Sequence, residues 1–134
     1  MKLLVDFHHA DLYESHQIVF GDRFGWEVLA PYGMEWFDAD IWQFERAWHG
    51  DAVARQYLLG IFAGGEPDAN GIVRVPDTRH PGRTLVGVTL EAARAMDWDI
   101  VMSSVPTNAP GFARFAREHG ARFLVHVGNQ WGDE

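Results

Sequence analysis

Asp6, His8, His9 and Asp11 fall within the single stretch LLVDFHHADLY near the N-terminus. An imidazole titrates close to neutral pH, so a cleft histidine is a natural general base. Asp11 would orient such a base, or would sit in the first turn of a helix, where the dipole favours an acid. If extended geometry persists, His8 and His9 cannot both face one ligand, because neighbouring side chains alternate. Both histidines also read as plain loop residues, one of them capping the following helix. Asp6-Phe7-His8 offers a second chemistry, the D-x-H spacing of metal-dependent phosphoesterases. A two-metal centre needs more ligands than this. Gly21-Asp22 falls inside a helical pattern and Gly128-Asn129-Gln130 brings neither acid nor imidazole. No metal is therefore expected.

Elements must position these residues. Residues 2–7 read as a buried strand, a short apolar run without helical period. From 10 to 24, Leu12, His16, Val19, Phe20 and Phe24 share one helical face, and Gly25 stands where a helix stops. Residues 26–30 form a second strand, closed by Pro31. Thr89 caps a helix reaching Met96, and residues 99–105 form a third strand. Asn108 caps the next helix, with Phe112, Phe115, Ala116 and His119 inward. Gly120 ends it, and residues 122–127 form a fourth strand. Apolar strands alternating with amphipathic helices predict an α/β fold: a Rossmann-like, doubly wound, mainly parallel four-stranded sheet in the order 2-1-3-4. An inserted helical segment, with Phe37, Ile41, Phe44 and Trp48 on one stripe and Trp42 opposite, precedes a hairpin within 72–88.

In such a sheet ligands bind beyond the carboxyl ends of the strands. That rule gathers Tyr13 after strand one and Glu35 and Trp36 after strand two. It adds Ser103, Ser104 and Thr107 after strand three, and Asn129 and Trp131 after strand four. Hydroxyls and an amide near a helix N-terminus suit an anion or a sugar hydroxyl. Aromatic rings beside a carboxylate suit a sugar face. Trp36 also reads as a core residue, and Ser103 and Ser104 as an ordinary strand-to-helix turn. Arg74, Arg79, His80 and Arg83 form the one basic cluster, either a solvated hairpin or a docking point for an acidic acceptor.

The bulk composition narrows the classes. The chain has 134 residues, formal net charge −8, no cysteine and a single lysine, Lys2. The length predicts one domain. Clustered positive charge is what phosphate polymers require, so nucleic acid is an unsuited partner. Thiolate chemistry and disulfides are excluded. No apolar run reaches the ~20 residues of a membrane span, and the N-terminus lacks a signal-peptide pattern. A cytoplasmic setting is the expectation. No G-x-G-x-x-G or P-loop follows the first strand.

The phrases LLVDFHHADLYESHQIVFGDRFGWEVLAPYGMEWFD, WDIVMSSVP and FLVHVGNQWG resemble the N-terminal half of bacterial and phage proteins similar to GT-B glycosyltransferases. The resemblance spans most of the chain and rests on the order of these phrases. It implies a Rossmann-like, acceptor-side domain at residues 1–134, facing a C-terminal domain that would hold a nucleotide-sugar. It implies a catalytic base at His8 or His9 and a carbohydrate or glycosylated acceptor as partner. The donor domain is missing from this sequence, so the chain is expected to be the front half of a longer protein and inactive alone. Two other readings stand beside this one: a small metal-dependent hydrolase using Asp6, His8 and His9, and a Rossmann-like binding module without chemistry.

Overall fold

A computed structural model describes residues 1–6, 10–36, 62, 64–104 and 108–126. Strand β1 (Lys2–Val5) leads to helix α1 (Ala10–His16), which widens into a π-helical turn (Gln17–Arg23) before β2 (Glu27–Tyr32). A 3₁₀ turn (Met34–Trp36) follows. The hairpin strands are β3 (Ile72–Pro76) and β4 (Thr84–Thr89), and α2 (Leu90–Arg94) leads to β5 (Ile100–Ser103). Helix α3 (Ala109–Glu118) and β6 (Arg122–Val125) complete the order.

The sheet has six strands, in the order β3-β4-β2-β1-β5-β6. The four anticipated strands lie side by side within it as β2-β1-β5-β6. The expected four-stranded sheet is enlarged because the hairpin joins it: β4 pairs parallel to β2, with Pro31 opposite Val88, while β3 pairs antiparallel to β4. Every other pairing is parallel. Pro31 does not close β2. It lies beyond Glu27–Leu29, the stretch that pairs with β1, so its missing N–H leaves that ladder intact.

Alternating strand residues feed two cores on opposite faces. Leu3, Val5, Val28, Ala30, Ile100 and Met102 pack with Tyr13 of α1 and with Phe62. Leu4, Leu29, Val88 and Val101 pack with Ala93 of α2 and with Phe112, Phe115 and Ala116 of α3. Helices thus cover both faces, the doubly wound arrangement. Thr89 caps α2 by accepting the Ala92 N–H at 3.2 Å, as its type and position require.

The first helix departs from the expected face. Val19 and Phe24 are exposed, while Tyr13, Glu14, His16 and Gln17 are buried. The widened π turn adds to the residues per turn, so an apolar stripe drawn at the α-helical period rotates outward past His16. Two of these residues bond strand carbonyls. The Tyr13 hydroxyl donates to Val86 O at 2.6 Å, and Gln17 Nε2 donates to Thr84 O at 2.9 Å. The turn closes as read, with Gly25 at φ +72° and Trp26 N–H donating to Phe20 O at 2.9 Å. Most of the inserted helical segment, with Trp42 and its stripe, lies outside the described residues.

Candidate functional site

The strand order reverses between β1 and β5, since the chain leaves β1 first to one side and later to the other. The crevice of an open α/β sheet lies at the carboxyl ends of such a pair. Asp6 follows β1 directly. It is only 2% exposed. A buried carboxylate must find donors. Its Oδ2 accepts from Ser103 Oγ at 2.7 Å and from Asn108 Nδ2 at 3.0 Å, and its Oδ1 accepts from the Ser104 N–H. One side chain thereby ties β1 to the end of β5 and to the start of α3.

Asn108 occupies the cap position of α3. Its side chain makes no capping bond, because it turns to Asp6 instead. Its Oδ1 remains a buried acceptor without a partner.

Beyond this clasp stand two histidines. Ser104 Oγ lies 3.5 Å from His126 Nδ1, a long contact. His126 N–H donates to Ser103 O at 2.9 Å, which extends the β5–β6 ladder past β6. The His16 ring meets the His126 ring edge-on at 5.8 Å and stacks on Phe20 at 5.9 Å. Burial, and then the nearby His126, lower the His16 pKa to about 4. His16 is therefore neutral at pH 7. His126 is the exposed member.

The other expected site residues fall in different places. Ser103 and Ser104 are brought together through Asp6. Tyr13 lies fully buried against β2 and β4 rather than at the crevice, and burial pushes its phenol pKa well up. Trp36 is 2% exposed; its ring packs on Phe112 and Phe115, and its Nε1 donates to Val88 O at 2.9 Å. These contacts give it the core reading of its two. Glu35 is exposed and lines a cavity of about 220 Å³ beside Arg94 and Arg114. Asp11 falls in the first turn of α1. His8, His9, Thr107, Asn129 and Trp131 lie outside the described residues.

The basic hairpin cluster is not a free patch. Arg74 pairs with Asp68 at 3.1 Å, Arg83 with Asp22 at 2.7 Å, and His80 Nε2 sits 2.7 Å from Glu14 Oε2.

In the sequence Asp6 stands out as a metal ligand, and Asn108 as a helix cap and as an amide beside Ser103 and Ser104 at a helix N-terminus. His126 goes unmarked there, and His16 reads as a helix-face residue. One signal was present: an acid inside an apolar strand demands donors, and a parallel neighbour ending in Ser-Ser supplies them. Among the described residues, no group of three or more metal-ligating side chains occurs and no helix is long and apolar enough to cross a membrane. No family model, curated protein or solved structure matches the chain.

Proposed function

We propose that this chain is the acceptor-binding, Rossmann-like half of a GT-B-type glycosyltransferase, with the acceptor at the carboxyl ends of β1 and β5. The observation that carries the reading is the clasp on Asp6 at the switch point of the sheet. It fixes Ser104 beside His126 where such folds bind ligands. A hydroxyl, the exposed His126 imidazole and the start of α3 suit a sugar hydroxyl or a phosphate oxygen. In this reading His8 or His9, two and three residues past Asp6 in the chain, serves as the base or orients the acceptor. A nucleotide-sugar would be held by a second domain.

The metal-hydrolase reading draws less support, because both Asp6 oxygens already accept hydrogen bonds from the chain itself. A binding module without chemistry is favoured by that same inward use of the buried Asp6 carboxylate.

The test is amide NMR titration of the 134-residue chain with a panel of mono- and oligosaccharides, glycosyl phosphates and nucleotide-sugars, together with a sugar-transfer assay. The expected result is acceptor-type sugars shifting the amides of 103–108 and 126, with no turnover of any nucleotide-sugar. Shifts lost in Ser104→Ala would fix the site. Robust transfer by this chain alone would refute the half-enzyme reading, and saccharide-independent amides would refute the acceptor reading.

A further inference from the structure

A second polar centre lies between the hairpin and the first helix. Glu14 of α1 and Asp77, just past β3, are 4% and 5% exposed. Glu14 Oε1 and Asp77 Oδ2 are both buried without a hydrogen-bond partner. The other oxygens are satisfied: Glu14 Oε2 by His80 Nε2 at 2.7 Å, and Asp77 Oδ1 by the Arg79 N–H at 2.9 Å. Both acids meet the same turn, Glu14 through His80 and Asp77 through Arg79, and each perturbs the other's ionisation. Two ionised carboxylates have no hydrogen to bond with and repel. A single proton between them satisfies both orphaned oxygens at once.

We propose that Glu14 and Asp77 share one proton, and that this pair is a pH-sensitive latch holding the β3–β4 turn against α1 and the π-helical turn. The latch has a defined span. The turn (77–83) and the π-helical turn form opposite walls of a cavity of about 660 Å³, with His80, Pro81 and Arg83 on one side and Gln17, Ile18 and Asp22 on the other. Loss of the shared proton leaves two buried negative charges side by side, and their repulsion pushes the turn away from α1.

The surrounding charges set the direction. From the turn, His80 bonds Glu14 and Arg83 lends positive charge to both acids, while Arg79 contributes its backbone N–H to Asp77. From the π-helical turn, Asp22 holds Arg83 at 2.7 Å. Burial first, and then Asp77, hold the Glu14 pKa above the ordinary carboxyl range. Asp77 is held below that range: burial opposes this, but hydrogen bonds from the turn and from Glu14 outweigh it. The proton therefore resides on Glu14. The latch is closed while Glu14 is protonated and Asp77 ionised, and it loosens as pH rises through the Glu14 value.

The test is a carboxyl-carbon NMR titration of the full chain from about pH 3 to pH 9, bracketing the carboxyl range, with amide shifts of 77–83 followed in parallel. The expected result is a Glu14 midpoint above the ordinary range, shared by the turn amides. In Asp77→Asn the Glu14 midpoint should move back toward ordinary. In Glu14→Gln, whose amide still donates to Asp77, the turn amides should stop responding in that window. The wild-type titration decides the matter even if a variant fails to fold. Glu14 titrating in the ordinary range, turn amides indifferent to its titration, or a midpoint unmoved by Asp77→Asn would each overturn the latch.

Discussion

Asp6 gathers donors from positions 97, 98 and 102 residues away, so its replacement tests how the crevice floor is built. Asp6→Ala removes both acceptors, so the Ser104 N–H and Asn108 Nδ2 lose the partner they bond and Ser103 Oγ loses one of its bonds. Each unsatisfied group costs about 1–3 kcal/mol, less where the structure relaxes or water enters. A loss of about 3–5 kcal/mol in urea unfolding is expected. Asp6→Asn should be milder. It keeps one acceptor, and the Asn108 amide can flip to present its unpartnered Oδ1 to the new N–H₂. A loss of about 1–2 kcal/mol is expected there. Equal losses in the two variants would show that charge, not hydrogen bonding, holds the clasp. None of this network is visible in the local sequence. Asp6 announces only a need for donors, and the partners are chosen by the β1–β5 pairing, which juxtaposes residues nearly a hundred positions apart.

At the scale of elements, local pattern was informative where it rested on sterics and weak where it rested on phase. Thr89, Gly25 and Gly120 mark helix ends because capping and positive φ depend on the residue itself. The hairpin at 72–88 followed from two β-branched runs flanking a Pro- and Gly-bearing turn. The phase of the first helix was lost because one widened turn rotates everything after it, and no residue type encodes that widening. Glycines give a sharp test of the same distinction. Gly25 and Gly71 both have positive φ, +72° and +76°. A Cβ on Gly25 would meet nothing, whereas one on Gly71 would press into Ala92 Cβ and reach within 2.7 Å of Thr89 Oγ1. Gly71 also accepts the Thr89 N–H through its carbonyl at 3.0 Å, joining the lead-in to β3 with the start of α2. Gly25→Ala should cost only the left-handed strain, about 1–2 kcal/mol. Gly71→Ala adds a backbone-held clash and should cost roughly 1–3 kcal/mol more, the range for overpacking. Thermal unfolding of the two variants side by side checks this; equal losses would mean that α2 shifts freely away from the turn.

At the scale of the whole molecule, two of the buried groups, His16 and Glu14, make the fold respond to pH in opposite senses. The class of fold was legible because strand-helix alternation is written in apolar runs and their breaks. The pH response was not, since it depends on which titratable groups the two faces bury. His16 has a folded-state pKa of about 4, below the ordinary imidazole value of 6.5. The unfolded chain thus takes up a proton first as pH falls. The stability His16 contributes is fully present above 6.5 and is lost between 6.5 and 4. Glu14 is raised above 4.5, so its contribution is fully present below 4.5 and is lost as pH rises toward its folded value. In the wild type the two slopes oppose each other above 4.5 and partly cancel. Glu14→Gln removes one of them. In that variant, stability should rise with pH from about 4 to 6.5, at up to about 1.4 kcal/mol per pH unit for the one proton involved, and then level off. Adding His16→Gln should flatten that rise, since the replacement does not titrate. Urea midpoints measured at half-unit pH steps for the wild type and both variants separate the terms. A rise that survives His16→Gln would assign it to other groups and would leave His16 as an ordinary aromatic neighbour of Phe20.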